Sequence, residues 1–339
     1  MKFLITGDIH LSRYAQDKVE ETSNLPERLH SIRNALYDMG EYCYDNDIDT
    51  FIIAGDIMHS KSIIYSIAQE IMLDFFDQYE DLQFWIIDGN HDLSGKGTGA
   101  ISSLNALRSV SNVEWISGAA SVDSNKFFVP YSNNMVEEIK NGKADILISH
   151  FGLNEGILNS GISIISDLSM KDLIGKYKLI LLGHYHKPQD IGQGACRLYY
   201  VGSPIQLDWG EKGDEKRFLI VDTDTLDVQS IPTTGYRKHI ELGLTQESKQ
   251  EVFALAKKAK DSGHHVKIIQ NETVDLSDVD EDFLVIDKRE ADITNRGITS
   301  SMSQKDKLQK FLEIKEVPQE KHDLYLKHGL EIIESCEEL

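Results

Sequence analysis

Seven residues of the kinds that bind hard or borderline cations stand behind short apolar runs: Asp8, His10, Asp56, Asn90, His150, His184 and His186. The runs are Phe3-Leu4-Ile5-Thr6, Phe51-Ile52-Ile53, Phe84-Trp85-Ile86-Ile87, Ile146-Leu147-Ile148 and Leu179-Ile180-Leu181-Leu182. A single Gly-Asp or His-x-His reads as a turn or a polar pair. Five such signals in order, each closing an apolar run, read as one site. The side chains offer carboxylate, imidazole and amide oxygen but no thiolate, which suits Mn²⁺, Fe²⁺ or Zn²⁺ and excludes a soft-metal site. Seven ligands exceed the needs of one ion and suit two that share a carboxylate. Two ions about 3.5–4 Å apart form the clamp used to hydrolyse phosphate esters. Asp56, at the end of a central strand, is the expected bridge.

The elements that must position these residues follow from periodicity. Phe51-Ile52-Ile53 is a buried strand that Ala54-Gly55 ends tightly, leaving Asp56 at its carboxyl end, where α/β sheets bind ligands. Asp8 and His10, two residues apart in an extended segment, point to the same side. Apolar spacing predicts a helix from about Pro26 to Tyr44 and another from about Ser62 to Tyr79. The second is apolar nearly all the way round, which allows a subunit contact together with Gly99 to Val110. Alternating strands and helices through about residue 150 predict an α/β sheet, and the runs at Arg197–Val201, Arg217–Asp222 and Val228–Ile231 an antiparallel closure.

Composition sets outer limits. Lys and Arg number 35 against 56 Asp and Glu, a net charge of −21 that disfavours non-specific adhesion to nucleic acid or anionic membrane. Cys43, Cys196 and Cys336 lack metal spacing and suit a reducing compartment. No apolar run approaches the ~20 residues needed to span a bilayer, and Met1–Thr6 reads as a first strand, so a soluble, cytoplasmic protein without a membrane contact is expected.

The motifs Gly7-Asp8-x-His10, Gly55-Asp56-x-x-His59, Gly89-Asn90-His91-Asp92, Ser149-His150 and Gly183-His184-x-His186 resemble, in order, those of calcineurin-like metallophosphoesterases. Within that superfamily the chain is most similar to the SbcD / Mre-eleven type of DNA double-strand-break repair nuclease. His184-Tyr185-His186-Lys187-Pro188-Gln189 and Tyr200-Val201-Gly202-Ser203-Pro204 running into Leu207-Asp208 carry that likeness. It covers about residues 1 to 235 well and the remainder in layout only. The resemblance implies a four-layer αββα sandwich with a small α+β capping module. It implies that Asp8, His10, Asp56 and His186 hold one ion and that Asp56, Asn90, His150 and His184 hold the other. It makes His91 a non-ligand that contacts the phosphate and can protonate the leaving oxygen, with Asp92 expected to hold it. His59 replaces the Asp of many relatives and, as in several repair nucleases, would lie against the DNA phosphate.

The implied activity is a manganese-dependent DNA exonuclease and endonuclease that works with an SbcC-type, SMC-like ATPase and forms a homodimer. Given the acidity, DNA binding would rest on local charge: the ions, Arg13, Lys61, Lys96, Arg108 and Lys187, and the partner. A phosphatase or cyclic-nucleotide phosphodiesterase with the same metals is an alternative that the acidity favours. A non-catalytic scaffold is another, opposed by the intact ligand set. The expected organisation is a nuclease domain over 1–242, a capping domain over 243–290, a linker over 291–302 and partner-binding helices over 303–339. The last segment carries Leu308, Phe311 and Leu312, then Leu326, Leu330 and Ile333, on two amphipathic faces suited to helix-in-groove docking onto the ATPase.

Overall fold

The computed structural model describes the chain apart from residues 15–16, 21–22, 96–99, 124, 164, 193, 271, 278–282, 288–301, 316 and 338–339, and only the backbone of 331–337. Lys96, nearly all of the expected linker and the side chain of Ile333 therefore lie outside the described residues.

Two six-stranded sheets carry the larger part of the fold. In the first, β1 (Lys2–Thr6), β2 (Thr50–Ile53), β3 (Gln83–Ile87) and β4 (Val113–Ile116) run parallel to one another. The second contains β5 (Ala120–Val122), β6 (Lys126–Val129), β7 (Ile146–His150), β8 (Leu179–Gly183), β9 (Gln189–Ile191) and β10 (Arg197–Tyr200), in the order β5-β6-β7-β8-β10-β9. The antiparallel β11 (Arg217–Asp222) and β12 (Val228–Pro232) return to the first sheet beside β1. The reading of Arg197–Val201 is thus corrected in part: β10 pairs antiparallel with β9 but parallel with β8, and lies in the other sheet from β11 and β12.

The layers follow from which face each side chain takes. Phe3, Ile5, Ile52 and Ile87 from one sheet pack with Phe128, Ile146, Ile148 and Leu181 from the other, forming the central core. The opposite face of the first sheet (Leu4, Phe51, Ile53, Phe84) is covered by α1 (Glu27–Asp45) and α2 (Ser66–Gln78). The opposite face of the second (Leu147, Ile180, Leu182) packs against Ile139 of α3 (Met135–Asn141) and Leu173 of α4 (Met170–Leu173). This is the helix–sheet–sheet–helix sandwich expected from the motifs.

One helix differs from its sequence reading. α2 begins at Ser66, and Ile63, Ile64 and Tyr65 precede it, 59%, 43% and 37% exposed. Ser60 accepts hydrogen bonds from the backbone of Ser62 and Ile63, which holds that stretch as a turn. Within the helix, Ala68, Ile71, Met72, Phe75 and Phe76 make a single buried face.

Two compact units are present: residues 1–241 with 256–266, and residues 242–255 with 267–339. A three-stranded sheet joins β13 (His239–Leu244), β14 (His265–Gln270) and β15 (Leu284–Asp287), the last two parallel, and α5 (Lys249–Asp261) precedes β14. In the second unit α6 (Gln304–Ile314) packs on α7 (His322–Glu337), where Gly329 lets Leu308 approach closely.

Candidate dinuclear metal centre

The strands that bring the ligand residues together all end at their carboxyl edge. β1 delivers Asp8 and His10, β2 Asp56, β3 Asn90 and His91, β7 His150, and β8 His184 and His186. Beyond the strands the backbones stay paired: Asp8 N–H donates to the Gly55 carbonyl at 3.0 Å and His10 N–H to the Asp56 carbonyl at 3.0 Å. The chain turns sharply there. Asp8, His10, Asp56 and His184 have φ of 52°, 54°, 54° and 94°, a region that side-chain-bearing residues rarely adopt. Such strain persists only where the surroundings fix it, and it gathers at functional sites. Close approach explains Gly55, whose added Cβ would stand 2.5 Å from His150 Nδ1, and Gly89, whose Cβ would strike the Asp56 carboxylate.

The ligand atoms converge. Asp8, His10 and His186 place theirs within 4.8 Å of one another, as do Asp8, Asp56 and His150. Asp56 Oδ2 lies 3.3 Å from His150 Nε2 and 3.7 Å from His10 Nε2. Asn90 Oδ1 is 3.1 Å from His150 Nε2 and 2.9 Å from His184 Nδ1. His10 Nε2 and His186 Nε2 face each other at 2.9 Å. Two carboxylates, an amide oxygen and four imidazoles thus meet in one buried place, a donor set that divalent cations fit.

The imidazoles are held ready. His150 donates from Nδ1 to the Ala54 carbonyl at 2.7 Å, which turns Nε2 toward the cluster, where a cation would displace its proton. His186 donates from Nδ1 to Glu211 Oε1 at 2.7 Å, with the same effect. Burial pulls His10 down, and burial together with the His150 charge takes His184 to about 3, so both rings are neutral. Burial would lower His150 as well, but the Asp56 and Asp8 carboxylates raise it to about 9. Burial works to raise Asp56, and His150 and His10 overcome it and hold the carboxyl low. Protonated His150 thus sets cationic charge against Asp56, as a buried carboxylate requires.

His91 and His59 stand at the rim. His91 N–H donates to Asp56 Oδ1 at 2.7 Å, and its Nδ1 donates to the His59 carbonyl at 2.7 Å. The two rings stack at 5.4 Å, and Tyr14 packs on His59 at 5.0 Å. His10, His59 and His91 form a further group whose ring nitrogens lie within 4.8 Å. The expectation that Asp92 holds His91 fails. Asp92 is fully buried and accepts from the backbone N–H of Met58 and Gly89, both at 2.9 Å, so it braces the two loops.

Glu211 is the residue that sequence reasoning missed. It is buried, orients His186, accepts from Leu207 N–H at 3.0 Å and pairs with the buried Lys216 at 2.7 Å. Lys216 in turn donates to the His186 carbonyl at 2.8 Å. The segment Glu211-Lys212-Gly213-Asp214-Glu215-Lys216 has the composition of a solvated turn. Its closeness to Leu207-Asp208 is the one signal that could have pointed inward.

This sandwich, with a candidate dinuclear centre at the carboxyl ends of its strands, defines a phosphoesterase. Residues 1–188 match the Calcineurin-like phosphoesterase family, and the chain belongs to it. It is 28% identical over 251 residues to exonuclease subunit 1 of Enterobacteria phage T4, across 70% of each chain. Among solved structures it is similar to a novel archaeal phosphodiesterase (15% identical, 68% of this chain and 99% of that one, TM-score 0.37). It is also similar to a dimetal phosphatase from Danio rerio (9% identical, 69% of this chain and 99% of that one, TM-score 0.40).

Proposed function

We propose that this chain is the nuclease subunit of a DNA end-processing complex: an exonuclease on duplex ends and an endonuclease on single strands, dependent on manganese. The relationship to the phage exonuclease subunit, which spans 70% of both chains, carries this reading. Asp8, His10, Asp56 and His186 would hold one ion, and Asp56, Asn90, His150 and His184 the other. The ions would supply a water nucleophile near neutral pH and neutralise charge on the phosphoryl oxygens.

The chain's own residues do the rest. His91, tied through Nδ1 to the His59 carbonyl, is positioned to contact the phosphate and hand a proton to the leaving oxygen. His59, stacked on it, presents a second ring to the strand. Glu211 fixes the ring of His186. Arg13, Lys61 and Arg108 are exposed and available to DNA phosphates, and Lys187 is half-buried. An SbcC-type ATPase bound through the terminal helices, and a second copy of this chain, would complete the assembly.

The net charge of −21 favours a second reading, a phosphatase or phosphodiesterase of small substrates. Digestion of end-labelled duplex and single-stranded DNA with Mn²⁺, beside p-nitrophenyl phosphate esters, separates the two. Cleavage of both DNAs is expected. Hydrolysis of the small esters with both DNAs left intact would replace the nuclease by the second reading.

A further inference from the structure

His59 meets His91 twice at the rim: its carbonyl accepts from His91 Nδ1 at 2.7 Å, and its ring stacks on the His91 ring at 5.4 Å and 21°. The His59 ring itself is weakly tied. Among the described residues its nitrogens make one hydrogen bond, 3.4 Å from Nδ1 to His10 Nδ1, which is longer than well-formed bonds of this kind. Ring contacts must therefore set its pose. His10 meets it edge-on at 5.4 Å, and Tyr14 packs closest, at 5.0 Å and 53°. Nothing in the ligand set or in the hydrolytic chemistry gives Tyr14 a task, and its surroundings supply one.

Tyr14 is held in turn. Arg28, on the first turn of α1, lies over its ring at 3.8 Å and pairs with Asp17 at 3.6 Å. The backbone brings Tyr14 within reach of His59. Leu11 N–H donates to the Ile57 carbonyl at 2.7 Å and His59 N–H to the Leu11 carbonyl at 3.2 Å, so the segment leaving His10 runs beside the one leaving Asp56. An aromatic pair, or a cation over a ring, shifts the population of a pose by about two- to tenfold. We infer that Tyr14, with Arg28 over it, is a positioning residue that clamps the His59 ring against His91 and so aims His91 at the leaving oxygen. The inference rests on the roles proposed above for His91 and His59 and names what holds them. It asks for the ring of Tyr14 and not for its hydroxyl.

The test compares leaving groups on the full chain with manganese. The alkoxide that leaves when a single-stranded oligonucleotide is cut needs a proton, whereas p-nitrophenolate leaves bis(p-nitrophenyl) phosphate as a stable anion. Tyr14→Leu should lower kcat about tenfold on the oligonucleotide and less than about twofold on the aryl ester, with manganese affinity unchanged. Tyr14→Phe, which keeps the ring, should restore the native rate, and Arg28→Met should fall between the two. In a His59→Ala background Tyr14→Leu should cost nothing further, because residues that act through one another are not additive. Equal slowing of both esters, a native rate in Tyr14→Leu, a Tyr14→Phe as slow as Tyr14→Leu, or an undiminished loss in the His59→Ala background would each overturn the clamp. A His59→Ala chain at the native rate removes the proposed role of His59 and the clamp with it. A native chain that hydrolyses the aryl ester and leaves DNA intact fails the nuclease reading alone, and the comparison then runs between glycerol phosphate and p-nitrophenyl phosphate with the same outcomes.

Discussion

His91 is bonded to Asp56 through its backbone and to the His59 carbonyl through its ring, so removing its imidazole leaves every ligand atom in place. His91→Ala should therefore keep its metal content and lose turnover by roughly 10²–10⁴-fold. Metal analysis beside steady-state kinetics checks this, and a rate within a few-fold of native would take His91 out of the mechanism. Glu211→Gln swaps the charged acceptor of His186 for a neutral one, and manganese affinity should fall about 10–100-fold, as loss of such a supporting partner generally does. Equilibrium dialysis showing native affinity would contradict that role. His239, away from the ligands, gives a pH signature. Burial and the neighbouring His265 take it to about 4 when folded, whereas an unfolded imidazole titrates near 6.5. Between those values the unfolded chain binds the extra proton, so stability is full above pH 6.5 and declines as pH falls towards 4. Urea midpoints at high and low pH should draw together in His239→Asn, and an unchanged difference would count against it. At this scale the ligand types were readable because each ends an apolar run. Glu211 and Lys216 were hidden because a charge run does not reveal that it turns inward. Asp92 misled because adjacency to His91 in sequence says nothing about which atoms it bonds.

At the scale of elements, parallel strands with both faces covered read as plain apolar runs, so β1, β2, β3, β7 and β8 were legible at once. Which sheet a strand joins was not, because pairing is decided by packing between distant segments, and β10 was accordingly misjudged. The short edge strands β5 and β9 carry too few apolar residues to signal themselves. α2 was read too long because Ile63, Ile64 and Tyr65 continue its apolar character without its periodicity. The terminal helices pack on each other yet leave Phe311, Leu324 and Tyr325 at 48%, 53% and 44% exposed. Apolar surface of that kind on short helices suits docking into a partner's groove. Deleting residues 303–339 should leave manganese-dependent cutting of single strands intact and abolish co-purification with the proposed SbcC-type ATPase. A truncated chain that still binds the ATPase would sink that assignment.

For the molecule as a whole, the proposed nuclease function sets a chain of charge −21 against a polyanion. On the proposed function that charge is met locally, by two ions that Asp8, His10, Asp56, Asn90, His150, His184 and His186 would hold. The four-layer sandwich serves this by ending five strands at one place and straining their exits until the ligands meet. The family and the site were legible because motif order survives in sequence; the state of assembly was not, because exposed residues such as Ile63 and Ile101 become meaningful only on a surface. The most direct measurement is single-strand cutting followed as manganese is added stepwise to metal-free protein, with bound metal counted at each step. Activity should stay low at one ion per chain and reach its plateau at about two, the number needed for the clamp. A plateau of full activity at one ion per chain would contradict the account.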